Sequence, residues 1–339
     1  MPLLSKLTTA LVVMAACMGP LVPPARAQDK PAIKLGYAKC AHCTPLVLTP
    51  DYAKDIALDV VGFNTGNDVL TALVSKSIDV AQVTYLHYAT ALDKGFDVVA
   101  ISGQVNGGSQ MLVANDLPVP EGDWAALKAL ATKRKAEGKP LKVAASRGNA
   151  QDIHMRGAFA THGIDVQKDL EFVNIPNPSD HAPALRRGEV DLICSVEPFA
   201  TLIRQVGAGK FFAFPYDQAA GKLTNLIVTR SDVVATKKAA LQSTVGAIVK
   251  VDDFIAANHD AWVGVITKVT GLDKAIAEGA IGNLEPDYRM HQKKALAIAS
   301  MMRDLRYIGH DVSGAVVKNM DYSFLEAATG KTKVELGAE

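Results

Sequence analysis

The sequence predicts an α/β protein of two lobes, each a mostly parallel sheet flanked by helices, with a ligand cleft between them. Three observations predict it. Across residues 33–105, apolar β-branched runs alternate with helical patterns, the order expected of parallel strands covered by helices. After Met111-Leu112-Val113-Ala114 the alternation restarts, as an inserted second unit would. Residues 225–229 then read as a strand returning to the first unit, and everything after Lys237 is helical. Lobe 1 is therefore residues 28–113 and 225–339, lobe 2 is residues 114–224, and the chain crosses between them near 111–115 and 216–224.

Residues 1–27 read as a signal peptide. Lys6 precedes an apolar run over 11–18, and Ala25-Arg26-Ala27 supplies the small-x-small cleavage pattern. Ala15-Ala16-Cys17 also resembles a lipobox, with Met14 in the place usually held by Leu, so lipid anchoring at Cys17 competes with simple export. No later stretch approaches the ~18 apolar residues of a membrane span. Of 36 basic and 35 acidic residues, Lys6 and Arg26 fall in this segment, which leaves 34 and 35. Such a balance lacks the basic face that nucleic acid requires. Composition, 49% hydrophobic but only 6% aromatic, is usual for Ala/Val-rich α/β proteins.

Ile33 and Leu35 suit a buried strand that runs into the polar loop Lys39-Cys40-Ala41-His42-Cys43. Thr44 followed by Pro45 matches an N-cap and first helical residue, so this loop is expected over a helix start, where free N–H groups favour an anion or lower a thiol pKa. Residues 58–63 form the next strand. Asn64-Thr65-Gly66 then turns into a helix that carries Val69, Leu70, Leu73 and Val74 on one face. Strand 78–83, with Thr84 and Tyr85 after it, helix 85–94 and strand 98–105 complete the first run. In the second unit, helix 124–135 precedes strand 141–145, whose loop Ser146-Arg147-Gly148-Asn149 opens helix 150–163. Strand 170–175, a helix carrying Ala184 and Leu185, strand 191–195 and a helix opening at Glu197-Pro198-Phe199 follow. Helices 237–258, 261–270, 274–282 and 292–308 form the tail.

Ligands of such sheets bind beyond the carboxyl ends of the strands, which selects the candidates. Asn64, Thr65 and Gly66 combine turn chemistry with a place at the cleft. Gly107-Gly108-Ser109 forms either a flexible crossing or an anion-binding nest. Ser146 and Asn149 serve as caps or ligand donors; Arg147 offers a bidentate charge to a carboxylate or sulfonate, or is a solvated surface arginine. Tyr85 walls a flat ligand or sits at the core edge, and Glu197 pairs with a ligand cation or starts a helix. Cys40 and Cys43 make a small disulfide, remain free thiols, or, with His42 and Cys194, ligate zinc, copper(I) or iron. Thr44 after Cys43 excludes covalent haem attachment. Gly330-Lys331-Thr332 is not a phosphate loop, because Leu325 stands where the first glycine must be. No nucleophile elbow, zinc-protease or dinucleotide motif occurs, which favours a binder over an enzyme.

Several of these stretches together resemble a family. Leu35-Gly36-Tyr37, Phe63-Asn64-Thr65-Gly66-Asn67-Asp68 running into Leu70-Thr71-Ala72-Leu73, Ile78-Asp79-Val80-Ala81, Asn106-Gly107-Gly108-Ser109, Gly188-Glu189-Val190-Asp191 and Glu197-Pro198-Phe199 are similar to periplasmic solute-binding proteins of the nitrate/sulfonate/taurine class of ABC importers, which includes thiamine-precursor binders. The resemblance implies the type II bilobal periplasmic-binding-protein fold, whose lobes close on a small ligand; the residues themselves favour a small polar, anionic organic solute, a sulfonate, carboxylate or heterocycle, held without cofactor or catalysis. It also implies a monomer that delivers its ligand to an inner-membrane permease and its ATPase. Two features depart from the pattern: the first helix is reduced to residues 45–53 and interrupted by Pro50, and Cys-Ala-His-Cys is not a general family feature. Metal or metallophore capture through Cys40, His42, Cys43 and Cys194 is therefore a second reading. An enzyme resembling pyrimidine synthases on the same scaffold is a third, against which the signal peptide weighs, since those act inside cells.

Overall fold

Eleven strands in two sheets organise the described residues, 30–339, of the computed structural model; the expected signal segment and Cys17 lie outside them. In chain order the strands are β1 (Ala32–Ala38), β2 (Ala57–Phe63), β3 (Val80–Thr84), β4 (Val98–Gly107), β5 (Ser109–Val113), β6 (Lys142–Ala145), β7 (Glu171–Asn174), β8 (Leu192–Val196), β9 (Lys210–Ala213), β10 (Asn225–Arg230) and β11 (Leu284–Asp287). One sheet has the order β11-β4-β10-β3-β1-β2 and the other β7-β6-β8-β5-β9. Pairings fix the directions: β1, β2 and β3 run parallel, and β10 is antiparallel to both β3 and β4. In the second sheet β6, β7 and β8 are parallel, while β5 opposes β8 and β9. Each sheet is thus mostly parallel in direction, with β10 and the edge strand β11 reversed in the first and β5 reversed in the second, and helices cover both.

The cores follow from strand periodicity. Along β8, Leu192 and Cys194 pack to one side with Met111, Val113 and Phe159, whereas Ile193 packs to the other with Leu112 and Leu185. Around the first sheet, Leu35, Val80, Ile101 and Ile227 share a larger cluster with the helical tail. No helix among the described residues is long and apolar enough to cross a membrane.

Three local outcomes differ from sequence expectation. Thr44 is not a helix cap: Cys43 holds that position, and a five-residue 3-10 turn, Thr44–Leu48, and a four-residue helix, Thr49–Tyr52, follow, with Thr44 Oγ1 donating to Ala41 O at 3.0 Å. No helix dipole of consequence therefore underlies the loop. Ser109–Val113, grouped by sequence with the first lobe, hydrogen-bonds into the second sheet, so the chain changes sheet at Gly107-Gly108. The edge strand β11 was invisible to pattern reading because it is four residues long and contains Pro286, which only an edge strand tolerates.

Candidate functional site

A narrow cleft of about 50 Å³ lies beyond the carboxyl ends of β1, β2, β3 and β6. A water needs ~10–15 Å³ on this measure, so the cleft suits a ligand of a few heavy atoms. Of the residues selected from sequence, Lys39, Cys40, His42, Cys43, Asn64, Thr65, Gly66, Thr84, Ser146 and Asn149 line it.

The floor is a buried carboxamide network. Gln82 Nε2 donates to Asn225 Oδ1 at 2.8 Å and to Val83 O at 3.2 Å, and Gln82 Oε1 accepts from Ala38 N at 3.3 Å. Asn225 Nδ2 donates to His42 O at 3.1 Å and to Gln104 Oε1 at 3.0 Å. Both amide protons of each side chain are consumed, so Gln82 and Asn225 hold the cysteine loop on the sheet rather than serve a ligand. Sequence reading missed both; the signal was a polar residue inside an otherwise apolar buried strand, which needs a partner. Trp262 Nε1 fixes the same loop by donating to Ala41 O at 3.1 Å.

The walls are helix starts. Thr65 and Thr84 close capping boxes over helices Gly66–Val74 and Tyr85–Asp93. Across the cleft, helix Ala150–Thr161 begins at Asn149, whose side chain makes no cap bond. The carboxamides of Asn149 and Gln151 line the cleft with no hydrogen-bond partner among the described residues. Gln151 also escaped sequence reading. A Cβ on Gly66 would stand 2.6 Å from His87 Cε1 and 3.0 Å from Asn149 Oδ1, so only glycine permits this approach.

Several contacts bridge the parts built on the two sheets, among them Tyr307 to Asp152 and Gln205 to Ala275 O, and two of them flank the cleft. His87 Nδ1 accepts from Thr84 N at 3.2 Å, which leaves the proton on Nε2 to donate to Asn67 Oδ1 at 3.0 Å. Asn67 Nδ2 then donates to Arg147 O at 3.2 Å. On the hinge side, Ala41 N donates to Glu197 O at 2.9 Å. Burial lowers the His87 pKa to about 4, so the imidazole stays neutral.

Six sequence-selected residues lie elsewhere. Gly108 and Ser109 form no anion nest, because the amides there are taken: Gly107 N donates to Lys222 O at 2.9 Å, Gly108 N to Asn283 O at 3.2 Å and Ser109 N to the Tyr216 hydroxyl at 2.9 Å. Tyr85 is buried in the first core, not a ligand wall. Arg147 is exposed, its guanidinium 5.1 Å from the Phe172 ring centroid. Glu197 is fully buried and spent on Gln110 and on Thr201, whose N and Oγ1 donate at 3.0 and 3.1 Å; burial raises its pKa to about 7. Cys194 is a buried free thiol among Met111, Val113 and Phe212, its pKa pushed up by burial. It does not join Cys40 and Cys43, which form a disulfide with Cα atoms 5.1 Å apart.

A model of the NMT1-like family matches residues 26–266, well over half of the chain. The nitrate/nitrite-binding protein NrtA of Synechococcus elongatus is 40% identical over 74 residues, a stretch covering 22% of this chain and only 16% of that protein. Among solved structures, the periplasmic nitrate-binding protein NrtA of Synechocystis superposes with a TM-score of 0.78 at 17% identity, covering 90% of both chains. The alkanesulfonate-binding protein SsuA of Xanthomonas axonopodis pv. citri, bound to MOPS, superposes with 0.72 at 16% identity, over 88% of this chain and 100% of that one. The desulfurization enzyme DSZB has the same fold, with a TM-score of 0.62 at 14% identity, covering 89% of this chain and 99% of that one. With its two sheets arranged as in these bilobal binding proteins and the family match extending over most of its length, the chain belongs to the NMT1-like family.

Proposed function

We propose that the protein is an exported, non-enzymatic receptor of an ABC importer that closes its two lobes on a small anion or a small anionic head group and hands it to a membrane permease. The lobes are taken as residues up to 107 with 225–339, and 109–224, with hinges at Gly107–Ser109 and at 216–224. One observation carries the reading: helices Gly66–Val74 and Ala150–Thr161 point their N-termini at the cleft from opposite lobes. Free N–H groups and positive dipole ends there favour negative charge. Lys39 is the one Lys or Arg among the residues lining the cleft, and the unpartnered carboxamides of Asn149 and Gln151 supply donors. The binding proteins for nitrate and alkanesulfonate that share the fold fit an anionic ligand. The cysteines offer the cleft no free thiol: Cys40 and Cys43 are joined, and Cys194 is buried away from it.

Trp262 makes the test direct, since its indole is bonded to the cysteine loop. Titration of the oxidised protein with nitrate, short alkanesulfonates and small carboxylates is expected to change tryptophan fluorescence saturably for at least one of them. No response to any of these anions contradicts the reading.

A further inference from the structure

The Cys40–Cys43 disulfide and His42 sit on the wall of the cleft, and the anion reading gives the pair of sulfurs no task. Nor does stabilisation: loop-closure theory gives the least to the shortest rings, and this one spans a sequence separation of three. Meanwhile one Sγ from each cysteine and a ring nitrogen of His42 all lie within 4.8 Å of one another. Two donors each about 2.0–2.3 Å from a shared ion stand at most ~4.6 Å apart, so little movement converts this cluster to a coordination shell. His42 is 3% exposed, and its Nδ1 has no hydrogen-bond partner. Such an orphaned buried nitrogen calls for a ligand.

We propose that reduction of the Cys40–Cys43 disulfide turns the cleft wall into a three-coordinate Cys2His site for copper(I). A dithiol reductant supplies two electrons and two protons, becoming a disulfide as Cys40 and Cys43 become thiols. Cu(I) then displaces the two thiol protons, forming two Cu–S bonds, and accepts a lone pair from His42. Thiolate donors select soft ions such as Cu(I) or zinc; zinc in a structural site takes four ligands. No further Cys, His, Asp or Glu joins the three among the described residues, which favours copper(I). His154, the nearest other imidazole, already bonds Ser109 Oγ at 3.2 Å and Leu223 O at 3.2 Å. The site goes beyond the anion reading and is independent of it, because that reading concerns the oxidised protein.

The test compares the full chain oxidised, and reduced with a phosphine, in anaerobic competition with a chromogenic Cu(I) chelator. Reduced protein is expected to take one Cu(I) per chain and oxidised protein none, and X-ray absorption is expected to report two sulfurs and one nitrogen. Cys43→Ser and His42→Ala are each expected to weaken copper binding by about a hundredfold or more, beyond the ~10–100-fold loss that follows removal of a mere supporting partner. Far-UV circular dichroism checks that each variant folds, and comparison of the two redox forms of the unmutated chain needs no variant. Equal copper uptake by both redox forms overturns the proposal, as does one tetrahedral zinc held in preference to copper. Loss of copper binding with intact anion titration, or the reverse, separates this proposal from the anion reading.

Discussion

Lowering the pH from 7 to 5 is expected to cost the folded protein several kcal/mol of stability. The cause is a set of buried neutral imidazoles. Burial holds His42 near a pKa of about 3 and His87, His154 and His181 near about 4, against ~6.5 in an unfolded chain. For such bases the unfolded chain binds protons first. The stability is complete above about pH 6.5 and is lost as the pH falls toward 4. Glu197 acts oppositely: with its carboxyl raised to about 7, the native state holds a proton that the unfolded chain takes up only near ~4.3. Asp252, fully buried with its pKa raised well above the usual carboxylate range, acts as Glu197 does, so between about pH 6 and 4.5 the net difference is about two protons, a slope of ~3 kcal/mol per pH unit. A domain at the low end of the usual ~5–15 kcal/mol then unfolds within about two units of pH. Urea denaturation at pH 7, 6 and 5 measures it, and equal stability at pH 7 and 5 contradicts it.

Gly107→Ala is expected to be the most damaging small substitution at the crossing. Gly107 has φ +94°, and a Cβ there would lie 2.2 Å from the Asn283 carbonyl oxygen, a backbone atom that cannot rotate away. Strain and overpacking together cost about 3–5 kcal/mol, or roughly 10 °C in Tm at the ~2–4 °C per kcal/mol of larger domains. Gly122→Ala is the control: its φ is +69°, with nothing within 4 Å of the added carbon. Strain alone there costs about 1 kcal/mol. Equal losses in thermal melts of the two variants contradict the assignment of Gly107 to a closely packed crossing.

Much of the architecture was legible because apolar runs and their caps are local. Strands β1, β3 and β4, the restart after Ala114 and the returning strand β10 follow from apolar runs that the sheets bury, and the half-exposed edge strand β2 from its apolar, β-branched run. The site was legible where residue type and strand end coincide, as at Asn64-Thr65-Gly66 and Ser146 to Asn149. It was illegible where distant chain decides. The amides at Gly107-Gly108-Ser109 look like an anion nest until Lys222, Asn283 and Tyr216 consume them. Cys194 reads in sequence as a strand end, but β8 continues to Val196 and strand phase turns the thiol into the second core. Gln82 and Asn225 bond across 143 positions of sequence, a pairing no local pattern reports.

The anion-receptor reading is tested most directly by Asn149→Asp. Aspartate caps a helix as well as asparagine does, so the fold is expected to survive, while a negative charge replaces the unpartnered carboxamide facing the cleft. At ~4 Å and an effective dielectric near ~20, two like charges repel by about 4 kcal/mol. The anion that quenches or enhances tryptophan fluorescence in the unmutated protein is expected to bind Asn149→Asp at least about a hundredfold more weakly, with the melting temperature little changed. Unaltered affinity in that variant would contradict capture of an anion between the two helix starts.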